Sequence, residues 1–385
     1  MLIRHYTLRF TTPAFLGNAS QSGQWRTPPV KALMRQWWRV AYAAGQPGAV
    51  SISALRDAEG RLFGMAADDS DGGSRKSLVR IRLDHWDAGK LNSWDGLEQR
   101  KIHHPETERA NYQVGPHAYL GFGPLDGRGN TRFGDKCNAA IRNDAVAKLS
   151  LVFPAGAQAL HLDRALWLLH HYGTLGGRSR NGWGSFSLAP LDDHTPMLQG
   201  SLDEPLTQPW LDALDLNWPH AIGRDASGPL IWQTEAMADW EAVMRRLAEV
   251  KIGLRTQFLF TTGKNAAQPE ARHWLSYPVT PNHTVRDWGN VRLLNSRLPN
   301  SLRFKVRTDP DGKLRGVIFH VPCRPPPSFK PIRTALVDVW TRVHSLLDEL
   351  SRPMASRHYN SIADADRRAE LRPMLDAVQL SRSAR

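Results

Sequence analysis

Tyr6, Leu8 and Phe10 alternate with Thr7, Arg9 and Thr11, which predicts a strand over residues 2–11. The period then changes. Val30, Leu33, Met34, Trp37 and Ala41 fall within roughly 100° of one another on a helical wheel, so residues 29–44 read as a helix with an apolar stripe. Pro28 and Pro29 suit its entry and Gly45 its exit. SLVRIRLDHW (77–86) reads as a strand, residues 163–172 as a helix, and SFSLAPL as a closing strand. Residues 66–76 and 87–138 are rich in glycine and polar residues and read as loops.

Five prolines (Pro196, Pro205, Pro209, Pro219, Pro229) punctuate residues 191–230, where a domain junction is expected. Beyond it, Met237, Trp240, Met244 and Leu247 predict a helix over 234–254, and LRTQFLFTT a strand. SLRFKVRT and KLRGVIFHV flank DPDG and predict a hairpin. On its first arm Leu302, Phe304 and Val306 face one way, and Arg303, Lys305 and Arg307 the other. Apolar residues from Ile332 to Leu350 predict a helix, and a polar helix follows near 364–378. Each half mixes strands, helices and antiparallel signals without regular βαβ alternation. The expected fold is therefore α+β, two tandem ferredoxin-like (RRM-like) domains with inserted loops, divided as 1–200 and 201–385.

Charge narrows the partners. Fifty basic against 37 acidic side chains leave +13 over 385 residues, with no single tail responsible, and this favours a polyanion. No apolar run approaches the length of about 20 residues that a membrane span needs. The opening residues do not read as a signal peptide. Cys137 and Cys323 lie far apart without a CxxC partner, so neither a disulfide framework nor a cysteine-rich zinc site is expected, and a reducing cytoplasm is.

Two segments carry candidate chemistry. LGGRSRNGWGSF (175–186) holds four glycines, two arginines and an indole, a composition that lets a polyanion approach backbone N–H groups beside Arg178 and Arg180. On the first helix Lys31, Arg35 and Arg39 follow at steps of four opposite the apolar stripe, with Trp38 and Tyr42 on the same sector. Such a row fits phosphate tracking with bases stacked alongside. A solvated basic face has the same pattern.

TPAFLG (12–17), VKALMRQWWR (30–39), LFG (62–64), YLGFGPL (119–125) and LGGRSRNGWGSF together resemble the RAMP superfamily of CRISPR effector proteins. Their order resembles the first subunit of the Cmr, or type III-B, complex, and RLPNSLRFKVRTDPDGKLRGVIF (297–319) continues the likeness. The resemblance implies a non-catalytic subunit that holds CRISPR guide RNA near its 3′ end, helps capture target RNA, and contacts other RAMP subunits. It implies RNA-backbone contacts from Lys31, Arg35 and Arg39 and loop contacts from Arg178, Ser179, Arg180 and Asn181, with Trp183 packing or stacking. A long insertion separates the LFG strand from YLGFG, and no aromatic RRM signature is evident.

The alternative is a metal-independent endoribonuclease that matures guide RNA. His170–His171 end a helix just before the glycine-rich loop and could exchange a proton with a scissile phosphate, or merely cap the helix. The DDSD run offers Asp68, Asp69 and Asp71 as cleavage aspartates, although such runs are normally solvated. GFGPLDG follows an aromatic strand but contains Pro124 and leads into no convincing helix, so no nucleotide fold is expected, and neither is a metal or cofactor.

Overall fold

The computed structural model describes residues 1–383 except 47–49, 67–72, 95–99, 109–112, 128–129, 136, 203, 280–281 and 289–296. Asp68, Asp69 and Asp71 lie outside the described residues. The first half runs β1 (Leu2–Phe10), α1 (Thr27–Ala44), α2 (Ile52–Phe63), β2 (Arg80–Leu83), α3 (Pro116–Gly121), β3 (Val146–Phe153), α4 (Ala157–Tyr172) and β4 (Phe186–Pro190). Its sheet has the order β2-β3-β1-β4, every neighbour antiparallel. The alternation read in β1 sets one face. Tyr6, Leu8 and Phe10, with Ala147, Leu149, Leu151, Phe186 and Leu188, are buried in one apolar cluster with α1 and α4.

The second half runs β5 (Ile231–Thr234), α5 (Trp240–Thr256), β6 (Leu302–Thr308), β7 (Leu314–His320), α6 (Arg333–Leu350), α7 (Ala365–Asp376) and β8 (Leu380–Arg382). Its sheet order, β6-β7-β5-β8, is again antiparallel throughout. Each sheet thus places its first strand beside its third and fourth. The prolines of 191–230 border a small sheet of Thr207–Pro209, Ile222–Asp225 and Gly228–Pro229.

The second sheet is buried on both sides. Trp232, Ile318, Phe304 and Val306 pack with α5 and α6, whereas Ile231, Val317 and Phe319 join the first half's cluster. The Phe319 ring lies 5.1 Å from Tyr172 and 6.1 Å from Trp37. The cationic face of β6 is therefore interior, and Lys305 is 1% exposed. Its ammonium donates to the Leu169 carbonyl at 3.2 Å and to that of His170, carbonyls left open at the α4 C-terminus.

Several sequence expectations are corrected. LFG is no strand, because Leu62 and Phe63 end α2 and Gly64 leaves it at φ 81°. Ser51 caps that helix, its hydroxyl accepting from the Ala54 amide at 3.2 Å. Tyr119–Gly121 belong to α3 and not to an aromatic strand. LRTQFLFTT is not a strand. α5 continues through Thr256, and Val250, Leu254 and Phe258, four apart, are all buried, so helical periodicity outweighed β-propensity. β8 and the short strands of 207–229 were not anticipated.

Candidate nucleic-acid interface

The glycine-rich loop is a tight scaffold. Its amides at Leu175, Gly177, Asn181, Gly182 and Gly184 donate to carbonyls of Gly184, Phe15, Arg178, Ser179 and Pro13. These N–H groups are used within the protein, so the loop presents side chains more than an amide cradle. Glycine is required at 184, where φ is 65° and a Cβ would fall 1.8 Å from the Leu175 oxygen. Arg178 takes a φ of 54° at the exposed turn.

The base of the loop is locked to β6. The Phe304 amide donates to the Arg180 carbonyl at 3.0 Å, and the Val306 amide to the Ser185 hydroxyl at 2.8 Å. The Arg180 guanidinium donates to the Asn300 carbonyl at 3.0 Å, and burial holds its pKa below the ordinary value. Ser179 is half-buried. Trp183 is 0% exposed, with ring centroids of Phe15, Trp94 and Trp240 at 5.0, 5.5 and 5.8 Å. It packs and presents no face to a base.

Opposite Arg178 stands the C-terminal half of α5. The Lys251 ammonium donates to Asn181 Oδ1 at 2.7 Å and lies 5.9 Å from the Tyr119 ring centroid. The Arg255 guanidinium is 6.0 Å from the same ring, and its buried Nε has no hydrogen-bond partner. Desolvation first, then the facing guanidiniums of Arg255 and Arg297, pull the Arg178 pKa down. Burial, then Arg255 and Arg178, lower that of Lys251 well below the ordinary lysine value. Among the described residues no carboxylate lies within 4.0 Å of these four cations. Phe122, 64% exposed, follows α3 beside them in sequence with Tyr119. The result is a cleft of unneutralised cations around aromatic rings, suited to phosphates with bases stacked alongside.

Sequence reasoning missed Lys251, Arg255, Arg297 and Tyr119. A signal existed for two of them. Met244, Leu247, Lys251 and Arg255 follow at steps of three and four, so the cations extend the apolar stripe of α5.

The α1 cations sit in different surroundings. Arg35 and Arg39 both bind Glu59 of α2, with Arg39 Nη2 donating to Oε1 at 2.9 Å. Burial would raise the Glu59 pKa, but the two guanidiniums outweigh it and hold the carboxyl below its ordinary value. Arg35, Arg39, Arg56, Glu59 and Trp218 line a cavity of about 540 Å³. Lys31 is half-buried, and burial, then Arg35, lower its pKa. Trp38 is not on a binding face. It is 0% exposed, stacked on Tyr42 at 4.8 Å and edge-on to Phe63 at 5.7 Å, because α2 covers that flank of α1.

His170 Nδ1 accepts the Leu188 amide at 3.0 Å. Burial, then Lys305, lowers the His170 pKa to about 4; burial, then His170, lowers that of His171 to about 3. Both rings are neutral near pH 7. An unfolded histidine protonates near its ordinary value, about 6.5, so the unfolded state binds protons first and stability is lost as pH falls from there toward the folded values. The pair should cost on the order of 1 kcal/mol per ring at about pH 5.5. Thermal midpoints across this range test it, and His170→Gln with His171→Gln should flatten the profile. An unchanged slope in that variant contradicts the assignment.

Both cysteines are free, and among the described residues no group of three His, Cys, Asp or Glu side chains could hold a metal ion. No helix among the described residues is long and apolar enough to cross a membrane.

No curated protein is matched in sequence. Among solved structures, the chain is similar to apo Cmr1 from Pyrococcus furiosus at 16% identity and TM-score 0.40, covering 83% of this chain and 88% of that one. It is similar at 10% identity and TM-score 0.45 to a chain of the type III-B Cmr-beta complex bound to cognate target RNA, covering 89% and 100%. A chain of a type IV-B CRISPR complex is similar at 13% identity and TM-score 0.30, covering 52% and 94%. The RAMP superfamily matches residues 7–187, from β1 through the glycine-rich loop into β4. That segment, a little under half of the chain, is what is similar to the RAMP superfamily.

Proposed function

We propose that this chain is a non-catalytic, RNA-binding subunit of a type III CRISPR RNA-guided effector complex in the cytoplasm. In this reading it holds guide RNA near the 3′ end, helps capture target RNA, and docks beside other RAMP subunits. The observation that carries the RNA-binding reading is the cleft of Arg178, Lys251, Arg255 and Arg297 around Tyr119, which has no carboxylate counter-charge among the described residues. A net charge of +13 and the RAMP match over 7–187 support it. The type III-B assignment and the 3′-end role rest on the ordered sequence blocks. We also assign both sheet-and-helix units to ferredoxin-like, RRM-like domains divided near residue 200. The support is that β1-α1-β2-β3-α4-β4 and β5-α5-β6-β7-α6-β8 give the same strand order.

Lys31, Arg35 and Arg39 are retained as a secondary RNA contact, attenuated by Glu59. Ser179 stands at the turn with Arg178, while Arg180 and Asn181 act by holding the loop and Lys251 in place. The nuclease alternative has less support, since the Leu188 amide occupies His170 Nδ1.

Anisotropy titration of the full chain with labelled single-stranded RNA tests the proposal. Binding should depend little on sequence and weaken steeply between roughly 50 and 200 mM salt, as counterion release requires. Labelled repeat RNA should stay intact in EDTA. Weak, salt-independent binding would overturn the RNA-binding reading, and cleavage abolished by His170→Ala would replace it with the enzyme.

A further inference from the structure

The first sheet has a second face that the cleft does not use. α1 and α4 cover the side of Tyr6, Leu8 and Phe10, so the other side, with Ile3, His5, Thr7 and Arg9 of β1, meets solvent. Arg80 and Arg82 of β2 and Lys148 of β3 stand on this side with Arg9. Arg9 pairs with Val146 and Thr7 with Lys148, so Arg9 and Lys148 are diagonal neighbours. Arg82 pairs with Ser150, which makes Lys148 and Arg82 diagonal neighbours too. A line of positive charge crosses three adjacent strands at about 7–8 Å per step.

No carboxylate among the described residues pairs with any of the four. Asp84 lies opposite Lys148 just past β2, where its carboxylate accepts the Lys148 backbone amide at 2.9 Å and contacts His85 Nδ1 at 2.9 Å. Several arginines elsewhere are neutralised: Arg35 and Arg39 on Glu59, Arg272 on Glu106, Arg315 on Asp309, Arg382 on Asp348. Like charges set on this diagonal gain nothing from one another, so stability does not account for this row. Just past β2 in sequence, Trp86 is 59% exposed and offers a stacking surface.

We propose that this open face is a second binding surface for single-stranded RNA, engaging backbone phosphates through Arg9, Arg82 and Lys148 with Arg80 flanking them. It shares no residue with the cleft. The inference rests on the reading of this chain as an RNA binder and adds to it where a longer strand runs.

The test compares wild-type chain, the face variant Arg9→Gln/Arg82→Gln/Lys148→Gln, and the cleft variant Arg178→Gln/Lys251→Met/Arg255→Gln, titrated with single-stranded RNA of about 30 nucleotides over a salt series. Removing three phosphate contacts should lower the salt slope by about 2 and weaken binding roughly tenfold or more. The thermal midpoint of the face variant should stay level or rise. A face variant that binds like wild type, beside a cleft variant that does not, would overturn this inference and leave the cleft standing. If the wild-type chain does not bind RNA, both readings fall. A face variant that loses affinity only in step with a falling midpoint would show a structural role and likewise overturn the proposal.

Discussion

Replacing Arg178 with Gln, Lys251 with Met and Arg255 with Gln in one chain should weaken RNA binding by about 10²–10³-fold, at roughly a factor of ten per lost charge-assisted contact. The slope of log affinity against log salt should fall by about 2, since a single strand contributes about 0.7 per phosphate released. Folding should survive. Burial and like charge, Arg255's included, act on Arg178 and Lys251, and among the described residues no carboxylate lies within 4.0 Å of the three, so neutralising them removes mutual repulsion. Glutamine and methionine keep most of the side-chain volume. The same loss for every RNA sequence would mark phosphate contacts, whereas a loss confined to one sequence would mark base reading. Unchanged affinity in a folded variant would remove the cleft from the site.

Trp183→Ala should cost about 3–5 kcal/mol of stability, measured by urea unfolding, because it empties an indole-sized space between Phe15, Trp94 and Trp240. The surroundings come from both halves and the insertion, and they cannot all relax inward together. Trp183→Phe should cost about half as much. A residue that stacked on RNA would behave differently, giving little change in urea and a clear loss of affinity. That pattern would reverse the assignment of this indole to the interior.

Elements whose signal is local in the chain are the ones legible in the sequence. β1, α1, the β6–β7 hairpin and α6 carry their own periodicity and lie where that periodicity places them, within a few residues. Ile332 is the exception in the α6 stripe, standing 46% exposed at the helix entry. α2 was legible in principle: Ser51 starts it, and Leu55, Ala58, Leu62 and Phe63 are its buried side. Its missing stripe explains the error at Trp38, since a wheel drawn for one helix cannot say what packs on its second flank.

Arg303 and Lys305 show the same limit in a strand. Alternation put them correctly on the face opposite Phe304, yet that face meets α1 and α4 and not water. Arg303 is 7% exposed, and burial, then Arg180, lowers its pKa to about 9. Its guanidinium lies 5.8 Å from the Trp37 ring and donates to the Gln36 side-chain oxygen at 3.1 Å with that amide turned toward it. At the candidate site the loop was legible as a cationic turn, and Arg178 does face the cleft. The partners on α5 are 70 or more residues away and were obscured by continuing an apolar stripe.

The seam between loop and hairpin also limits how the molecule can respond to load. Phe304 with Arg180, Val306 with Ser185, and Lys305 with the end of α4 hold across the junction together. Tension on a strand lodged beside Arg178 would pass through these bonds into the C-terminal hairpin without a hinge to absorb it.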